Sequence, residues 1–290
     1  GLNLIPTALD MTGVTQIASG DKNTIVSVII ATITLTIVLA IKKFNKGFLS
    51  QVAILIAVVI GYVISLALGQ VSTTEIQNAS LIAIPSFTLP KFDMGAIAII
   101  APVILAVFME HVGDITTNGE VVGKNFIEEP GLNRTLLGDG VATLVAGLIG
   151  GPANTTYGEN TGVLAMTKNY NPAILRLTAV FAILLSFIAK FGAVIRTIPQ
   201  SVMGGISLIL FSMIAIVGFK TIKREKVEFN IFNIIVMASI LIVGLSGNFL
   251  PNAISIQITE TVSISGLSLA AIVGVVLNII LTKLSKVKNK

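Results

Sequence analysis

Three acidic side chains and the only histidine of this chain stand in surroundings that are otherwise apolar. Glu110 follows 16 uncharged residues and is succeeded at once by His111, and Asp114 comes four positions after Glu110. Glu159 follows 19 uncharged residues and belongs to the run NTTYGEN, residues 154–160. Carboxylates accept hydrogen bonds and bind protons, so these residues could hold a polar substrate together with a proton.

Each of these residues also has a structural explanation. Glu110 could mark the end of an apolar span, and Asp114 could begin a solvated loop. If both lie on one helix, they share a face, and two close carboxylates disfavour joint ionisation, so that one keeps a proton more easily. We expect His111 to be packed or hydrogen-bonded rather than catalytic. The remaining acids of this region are expected to be solvated in or beside a loop: Glu120, Glu128, Glu129 and Asp139.

The composition is that of a membrane protein. Hydrophobic residues make up 54% of the chain and charged residues only 11%, whereas soluble domains average about 25% charged residues. The stretches 197–219, 229–259 and 261–282 carry no charge at all, and a transmembrane helix needs about 20 such residues. The sequence therefore predicts an all-α polytopic membrane protein. The alternative, a soluble protein, would need several long buried helices in a small chain.

Several classes of function are disfavoured by what the sequence lacks. There is no cysteine and one histidine, which excludes disulfides, thiolate metal sites and a multi-histidine zinc site within this sequence. Neither a GxSxG motif nor a Walker motif occurs, so we expect neither an enzyme nor an ATP-driven pump, and no cofactor. The net charge of +5 comes mostly from residues that flank apolar stretches, and therefore indicates topology rather than nucleic-acid binding.

Eight apolar stretches separated by polar connectors are the candidate membrane spans. They cover residues 24–41, 50–68, 95–113, 136–150, 172–189, 201–219, 231–247 and 267–281. Lysine and arginine concentrate in the connectors 42–46, 114–135 and 220–226 and in the tail 283–290. The positive-inside rule places these segments, and with them the C-terminus, in the cytoplasm.

This topology puts NTTYGEN inside the membrane. The chain must cross an even number of times between the connectors 114–135 and 220–226, but only three candidate spans lie there. The fourth crossing then uses residues of about 151–168, where Gly-Gly-Pro at 150–152 interrupts the helix. We expect an extended stretch near 153–156 and a short helix from about Tyr157, and such a broken segment is typical of a transporter's binding site. Two basic residues then fall outside, against the rule: Lys190 and Arg196.

Four stretches carry a resemblance to a known family. They are EHVGD at 110–114, PGLNRTLLGDG at 130–140, PANTTYGENTGVLAMT at 152–167 and IPQSVMGGISLILF at 198–211. With the order of the spans, they make the chain similar to the nucleobase–cation symporter family over nearly its whole length. The run NTTYGEN is a specific signal, whereas EHVG by itself is weak.

The resemblance implies an inverted-repeat transporter with a core and a gate domain. The family has fourteen spans in two repeats, and the third span of each repeat is a short strand followed by a half-helix. Residues 1–93 would hold the last three spans of the first repeat, 94–196 the core-domain spans of the second repeat, and 197–290 its gate-domain spans. We therefore expect the N-terminal spans to be missing, and the chain begins with glycine rather than methionine.

The resemblance also implies a function, namely a secondary active transporter in the plasma membrane that imports uracil by proton symport. Glu110 and Glu159 would bind the ring, and Gly158, Tyr157 and Asn160 would complete the substrate site.

Proton coupling would fall to Glu110, Asp114 and His111, although several relatives have histidine where this chain has Asp114. The expected partners are the nucleobase, protons and the lipid bilayer, and a homodimer is left open. The alternatives are a xanthine or other purine permease, in which glutamine tends to replace Glu159, and a non-transporting membrane fragment.

Overall fold

The computed structural model describes residues 1–224, 226–250, 254–257 and 263–288, and within them the protein is almost entirely helical. The α-helices, in chain order, are α1 Ile5–Thr12, α2 Lys22–Phe44, α3 Phe48–Gln51, α4 Ala53–Ala67, α5 Thr74–Asn78, α6 Met94–Ile100, α7 Ile104–Val122, α8 Leu132–Leu148, α9 Glu159–Thr167, α10 Pro172–Ser186, α11 Ala189–Arg196, α12 Gln200–Arg224, α13 Ile231–Phe249 and α14 Gly266–Lys288. Short 3₁₀ turns cover Leu2–Leu4, Val14–Ser19 and Ala101–Val103, and a π-turn covers Ile127–Gly131.

The only sheet among the described residues is a two-stranded antiparallel hairpin. Strand β1, Ser255–Gln257, pairs with strand β2, Ser263–Ser265, so that Ile256 lies opposite Ile264. The hairpin lies between α13 and α14 in the chain.

Five helices in the described part of the chain are long and apolar enough to cross a membrane. They are Lys22–Phe44, Met94–Val122, Gln200–Lys223, Ile231–Phe249 and Gly266–Lys283. A sixth candidate is the pair α10 and α11, which is bent by 86° at the break between them. The prediction of an all-α polytopic membrane protein is confirmed.

Several span boundaries differ from the prediction, and two of the differences concern the shape of a span. The span expected to end at residue 113 continues to Val122, because no proline interrupts it and Gly123, at a φ of +78°, ends the helix in the left-handed conformation. The span expected over 172–189 ends at Ser186, and its last predicted residue, Ala189, begins the bent helix α11.

Helix α2 shows how the sequence sets the ends of a span. The Asp21 carboxylate accepts hydrogen bonds from the backbone N–H groups of Asn23 and Thr24, which lack partners within the helix. Lys42 and Lys43 lie in the last turn, where the helix dipole favours positive charge. Between these ends the helix is apolar, as a membrane span requires.

The chain packs as two compact units. The first comprises Asn3–Phe87 and Gly158–Ile214. In this unit the side chains of Ile30, Val202 and Ile206 form one buried cluster, and α2 crosses α12 closely: a Cβ atom on Gly205 would lie 2.5 Å from the backbone oxygen of Ala31. The absence of a side chain at Gly205 is therefore what permits this crossing.

The second unit comprises Thr88–Tyr157 and Ala215–Lys290. Leu269 and Ala270 are buried on α14, which packs along α13, and the Ser268 hydroxyl donates to the Ile99 carbonyl across 2.8 Å. The assignment of residues 1–93, 94–196 and 197–290 to gate and core parts stays a prediction.

Candidate functional site

Helix α7 carries the first group of predicted site residues. Glu110, His111 and Asp114 all lie in its interior, so Glu110 and Asp114 are one helical turn apart on a continuous helix. The alternative that Asp114 begins a solvated loop is wrong, because the helix runs eight residues beyond it, to Val122, and Asp114 is half-buried. Glu110 is exposed in the described structure.

His111 belongs to the buried stripe of α7. It is 1% exposed, and it shares the stripe with Ile115 and Gly119, four and eight positions further along the helix. Both ring nitrogens of His111 are within hydrogen-bonding distance of side chains on α8. Nδ1 lies 2.6 Å from Oδ2 of Asp139, and Nε2 lies 2.9 Å from Oγ1 of Thr135. The expectation that His111 is hydrogen-bonded agrees with these contacts.

Asp139 was missed as a site residue. We expected it to be solvated in or beside a loop, but it lies in the middle of α8, its side chain is only 32% exposed, and it contacts the buried His111. The sequence held one signal for this. Thr135, Asp139 and Thr143 recur at intervals of four in a helix whose other residues after Arg134 are apolar, which puts three polar side chains on one face.

The broken segment follows α8. Residues 151–157 have no regular secondary structure, and α9 begins at Glu159 after a turn at Gly158. The predicted interruption of the helix is confirmed, although the helix starts two residues later than Tyr157. The predicted strand is not found. A strand needs a neighbouring strand for its backbone hydrogen bonds. In the described structure the Thr143 side chain of α8 bonds the backbone of Asn154 instead.

Asn154 is the best-fixed residue of this segment. Its N–H group donates to Oγ1 of Thr143 across 3.1 Å, and the Thr143 hydroxyl donates to the Asn154 carbonyl across 3.0 Å. Its side-chain Nδ2 donates to the Ala142 carbonyl at 3.3 Å. Two positions on, the Thr156 hydroxyl donates to Oδ2 of Asp139 across 3.4 Å. The polar face of α8 therefore holds the first half of NTTYGEN.

The start of α9 offers backbone hydrogen-bond donors. Its N-cap is Gly158, which has no side chain and makes no side-chain capping bond. The first N–H groups of a helix have no partner within it and carry the positive end of the helix dipole, so they favour an acceptor such as a carbonyl oxygen. Tyr157 and Asn160 beside this start are exposed. Glu159 opens the helix, but its side chain lies outside the described part of the structure.

The structure brings some predicted residues together with others that were not predicted. His111, Asp139, Thr135 and Thr156 form one hydrogen-bonded chain within the second unit. Glu110 belongs to that unit and Glu159 to the first, and each is described only within its own unit. No cluster of three or more histidine, aspartate or glutamate side chains that could hold a metal ion occurs among the described residues.

Comparison with known proteins gives consistent results. The family model described as "Permease family" matches residues 1–253. A "Probable uracil permease" of Pasteurella multocida is 39% identical over 287 residues, covering 98% of this chain and 66% of the relative. The "Uracil permease" of Escherichia coli K12 is 38% identical, covering 98% of this chain and 65% of the relative. The "Uracil permease" of Bacillus subtilis is 40% identical over 246 residues, covering 82% and 55%. The chain thus spans about two thirds of the length of the first two relatives.

Proposed function

This chain belongs to the nucleobase–cation symporter family of permeases, and from that membership we propose that the protein imports uracil by proton symport. The coarser statement, a multi-pass membrane transporter for nucleobases, is supported by the family and by the apolar helices. Uracil is the substrate named for the relatives described above, and it is assigned to this chain as a proposal.

The observation that carries the proposal is the break between α8 and α9. A helix start with a glycine N-cap, placed in an apolar chain, supplies donors for a neutral polar ligand. Uracil has two N–H donors and two carbonyl acceptors on one planar ring. The family resemblance assigns the backbone at Gly158 and Glu159 as donors to its carbonyl oxygens, and the Glu110 and Glu159 carboxylates as acceptors for its N–H groups. Tyr157 and Asn160 flank the ring.

Proton coupling is proposed to use the polar turn of α7. Glu110 and Asp114 lie one turn apart, so a proton bound by one carboxylate lowers the repulsion between the two. His111 contacts α8 rather than this pair, and its part in coupling is developed in the next subsection. The protein is proposed to lie in the plasma membrane with its C-terminus in the cytoplasm, and a homodimer is compatible with this arrangement.

A competition experiment tests the substrate class. Binding of radiolabelled uracil is measured on the purified protein, in the full length that its gene encodes, against unlabelled uracil and unlabelled xanthine. We expect unlabelled uracil to displace the label at concentrations at least about tenfold lower than xanthine, because a site built for a pyrimidine rejects the larger ring and its different hydrogen-bonding edge. Displacement by xanthine at lower concentrations than by uracil would make the protein a purine permease.

A further inference from the structure

A buried histidine paired with a carboxylate is the feature of this chain that substrate binding leaves unused. His111 is 1% exposed and contacts Asp139 through Nδ1 and Thr135 through Nε2. Asp139, at 32% exposure, is the only one of the three side chains that combines a titratable group with access to solvent in the described structure. Asp139 is therefore the end of the pair that reaches the surface of the described structure.

The donor and acceptor roles in these hydrogen bonds determine how many protons the pair holds. The Thr135 hydroxyl donates to the Leu132 carbonyl across 3.0 Å, so towards His111 it can only accept, and Nε2 must carry hydrogen. Nδ1 faces a carboxylate oxygen at 2.6 Å, a distance at which one proton must lie between the two atoms. That proton is on Nδ1, next to an ionised Asp139, or on Asp139, next to a neutral imidazole. Both arrangements contain the same number of protons.

A second arrangement contains one proton fewer and still satisfies every side-chain polar atom of the cluster. If the Thr135 hydroxyl rotates and donates to Nε2, Nε2 needs no hydrogen, while Nδ1–H donates to the ionised Asp139. In this arrangement the proton has left the pair, whose exposed end is Asp139. The rotation breaks only the hydrogen bond from the Thr135 hydroxyl to the Leu132 carbonyl. That carbonyl lies in the first turn of α8, where a backbone N–H group of the helix can donate to it. No buried group is left unsatisfied in either state.

We propose that His111 and Asp139 form one exchangeable proton-binding unit, with the Thr135 hydroxyl as the rotor that accommodates both protonation states. The unit is connected to the broken segment, because the Thr156 hydroxyl donates to the same Oδ2 of Asp139 that faces His111. A charged imidazolium N–H binds a carboxylate oxygen more strongly than a neutral imidazole N–H does. Loss of the proton therefore leaves Oδ2 of Asp139 a better acceptor for the hydroxyl of Thr156, three residues before Glu159. The assignment of this proton as the one coupled to uracil rests on the proposed function.

Other charged side chains near His111 make no hydrogen bond to its imidazole in the described structure. The titratable and charged side chains on α7 and on the elements packed against it near His111 are Glu110, Asp114, Glu128, Glu129, Arg134 and Asp139. Among them, only Asp139 is hydrogen-bonded to the imidazole in the described structure. Glu128 and Glu129 are exposed in the turn before α8.

The single histidine of the 290-residue chain allows a direct test. The chain is produced with ¹⁵N-labelled histidine, purified through a tag without histidine and placed in lipid nanodiscs, so that every imidazole signal belongs to His111. ¹⁵N NMR spectra are recorded from about pH 5 to about pH 9, the range in which histidine can switch. We expect an imidazolium at the acidic end and, at the alkaline end, a neutral ring with hydrogen on Nδ1. One unchanged state across this range, or a neutral ring with hydrogen on Nε2 at the alkaline end, would overturn the proposal.

Two variants separate the pair from a general charge effect. Asp139→Asn removes the carboxylate that faces Nδ1, and we expect the imidazole signals to depend on pH differently from those of the unchanged protein. Glu128→Gln removes the same charge from the exposed turn and should leave the titration as it was. An imidazolium that persists unaltered in Asp139→Asn contradicts the pairing. If Asp139→Asn does not fold, the titration of the unchanged chain decides the proposal by itself.

Uracil tests the coupling. This measurement uses the full-length protein that the gene encodes, and the His111 signals are assigned by comparison with His111→Gln. Saturating uracil should move the pH at which the His111 imidazole signals change by at least about half a unit. Linkage then requires uracil affinity to change about threefold across the same range. Uracil that binds without moving the transition removes the pair from coupling and leaves the proposed function standing. Uracil that does not bind rejects the proposed function and the coupling, while the titration of the pair still stands or falls on the NMR spectra.

Discussion

At the scale of single residues, neighbours in one turn of α7 have different surroundings. His111 is enclosed between α7 and α8, Asp114 is half-buried and Glu110 is exposed. A buried polar side chain is stable only when its hydrogen bonds are made, and His111 makes both of its own to α8. Glu110 is the exposed residue of this turn and the one that we propose to contact the substrate.

Glu159→Gln tests substrate contact by a carboxylate. The substitution replaces an acceptor oxygen with a donor, so one N–H group of uracil loses its partner, and an unmatched buried polar group costs about 1–3 kcal/mol. We expect uracil affinity, measured by equilibrium binding, to fall about tenfold or more. Glu128→Gln is the control, since Glu128 lies exposed in the turn before α8. Unchanged affinity in Glu159→Gln would remove Glu159 from the site.

Asp114→Asn and Glu110→Gln separate coupling from binding. Asp114→Asn keeps the shape and hydrogen-bonding capacity of the side chain but cannot bind a proton. If Asp114 carries the coupled proton, accumulation of uracil driven by a pH gradient falls far more than uracil exchange does. Glu110→Gln is expected to lower both, because Glu110 is proposed to contact the substrate. Both are measured in reconstituted vesicles, by counterflow and by net uptake. Normal gradient-driven uptake by Asp114→Asn would exclude Asp114 as the coupling residue.

At the scale of elements, the polar face of α8 determines where the broken segment lies. Thr143 and Asn154 form two reciprocal hydrogen bonds, which replace those that a neighbouring strand would supply. The segment is thus held by side chains of a helix, and its conformation depends on a few named contacts.

Thr143→Val tests this attachment. Valine has the shape of threonine without the hydroxyl, so both bonds to Asn154 are lost, at about 1 kcal/mol each. We expect faster amide hydrogen exchange in residues 151–157, measured by mass spectrometry, and uracil affinity about tenfold lower. Thr178→Val is the matched control, because the Thr178 hydroxyl only bonds the Ile174 carbonyl of its own helix. Equal exchange in both variants would contradict the attachment.

Gly205→Ala tests the close crossing of α2 and α12. A methyl group at this position would meet the Ala31 backbone oxygen at 2.5 Å, and overpacking of this kind costs about 1–3 kcal/mol. We expect a lower temperature of thermal unfolding in detergent. Gly218→Ala on the same helix has open space around it and should not lower that temperature. Equal unfolding temperatures would show that the helices can separate here without cost.

Charge-free stretches and glycine–proline breaks were enough to predict the helices and the interruption after α8. Each of the eight predicted spans overlaps a helix, but in the described part only five helices, or six with the bent pair, are long and apolar enough to cross a membrane. The predicted spans 50–68 and 136–150 fall on the shorter helices α4 and α8. The end of α7 and the bend at α10 were not predictable in this way, since hydropathy does not report where a helix continues into polar sequence. Asp139 was missed for a related reason. Its role depends on a partner 28 positions away, and a pairing between helices leaves only the weak signal of polar residues at intervals of four.

At the scale of the whole molecule, the family, the apolar helices and the break before α9 support one function. A transporter that accumulates its substrate needs a site for the substrate and a site for the coupled proton. In this chain the two are proposed to lie close together in sequence, with the proton on α7 and α8 and the ring at the start of α9. Coupling then depends on contacts such as that of Thr156 with Asp139.

Net uptake of radiolabelled uracil into reconstituted vesicles, with and without an imposed pH gradient, tests this account most directly. The protein is used in the full length that its gene encodes, and counterflow in the same vesicles verifies that it is active. We expect uracil to accumulate above its external concentration only when the side from which it enters is the more acidic, and a protonophore to abolish the accumulation. Uracil that equilibrates at the same rate and to the same level with and without the gradient would contradict proton symport.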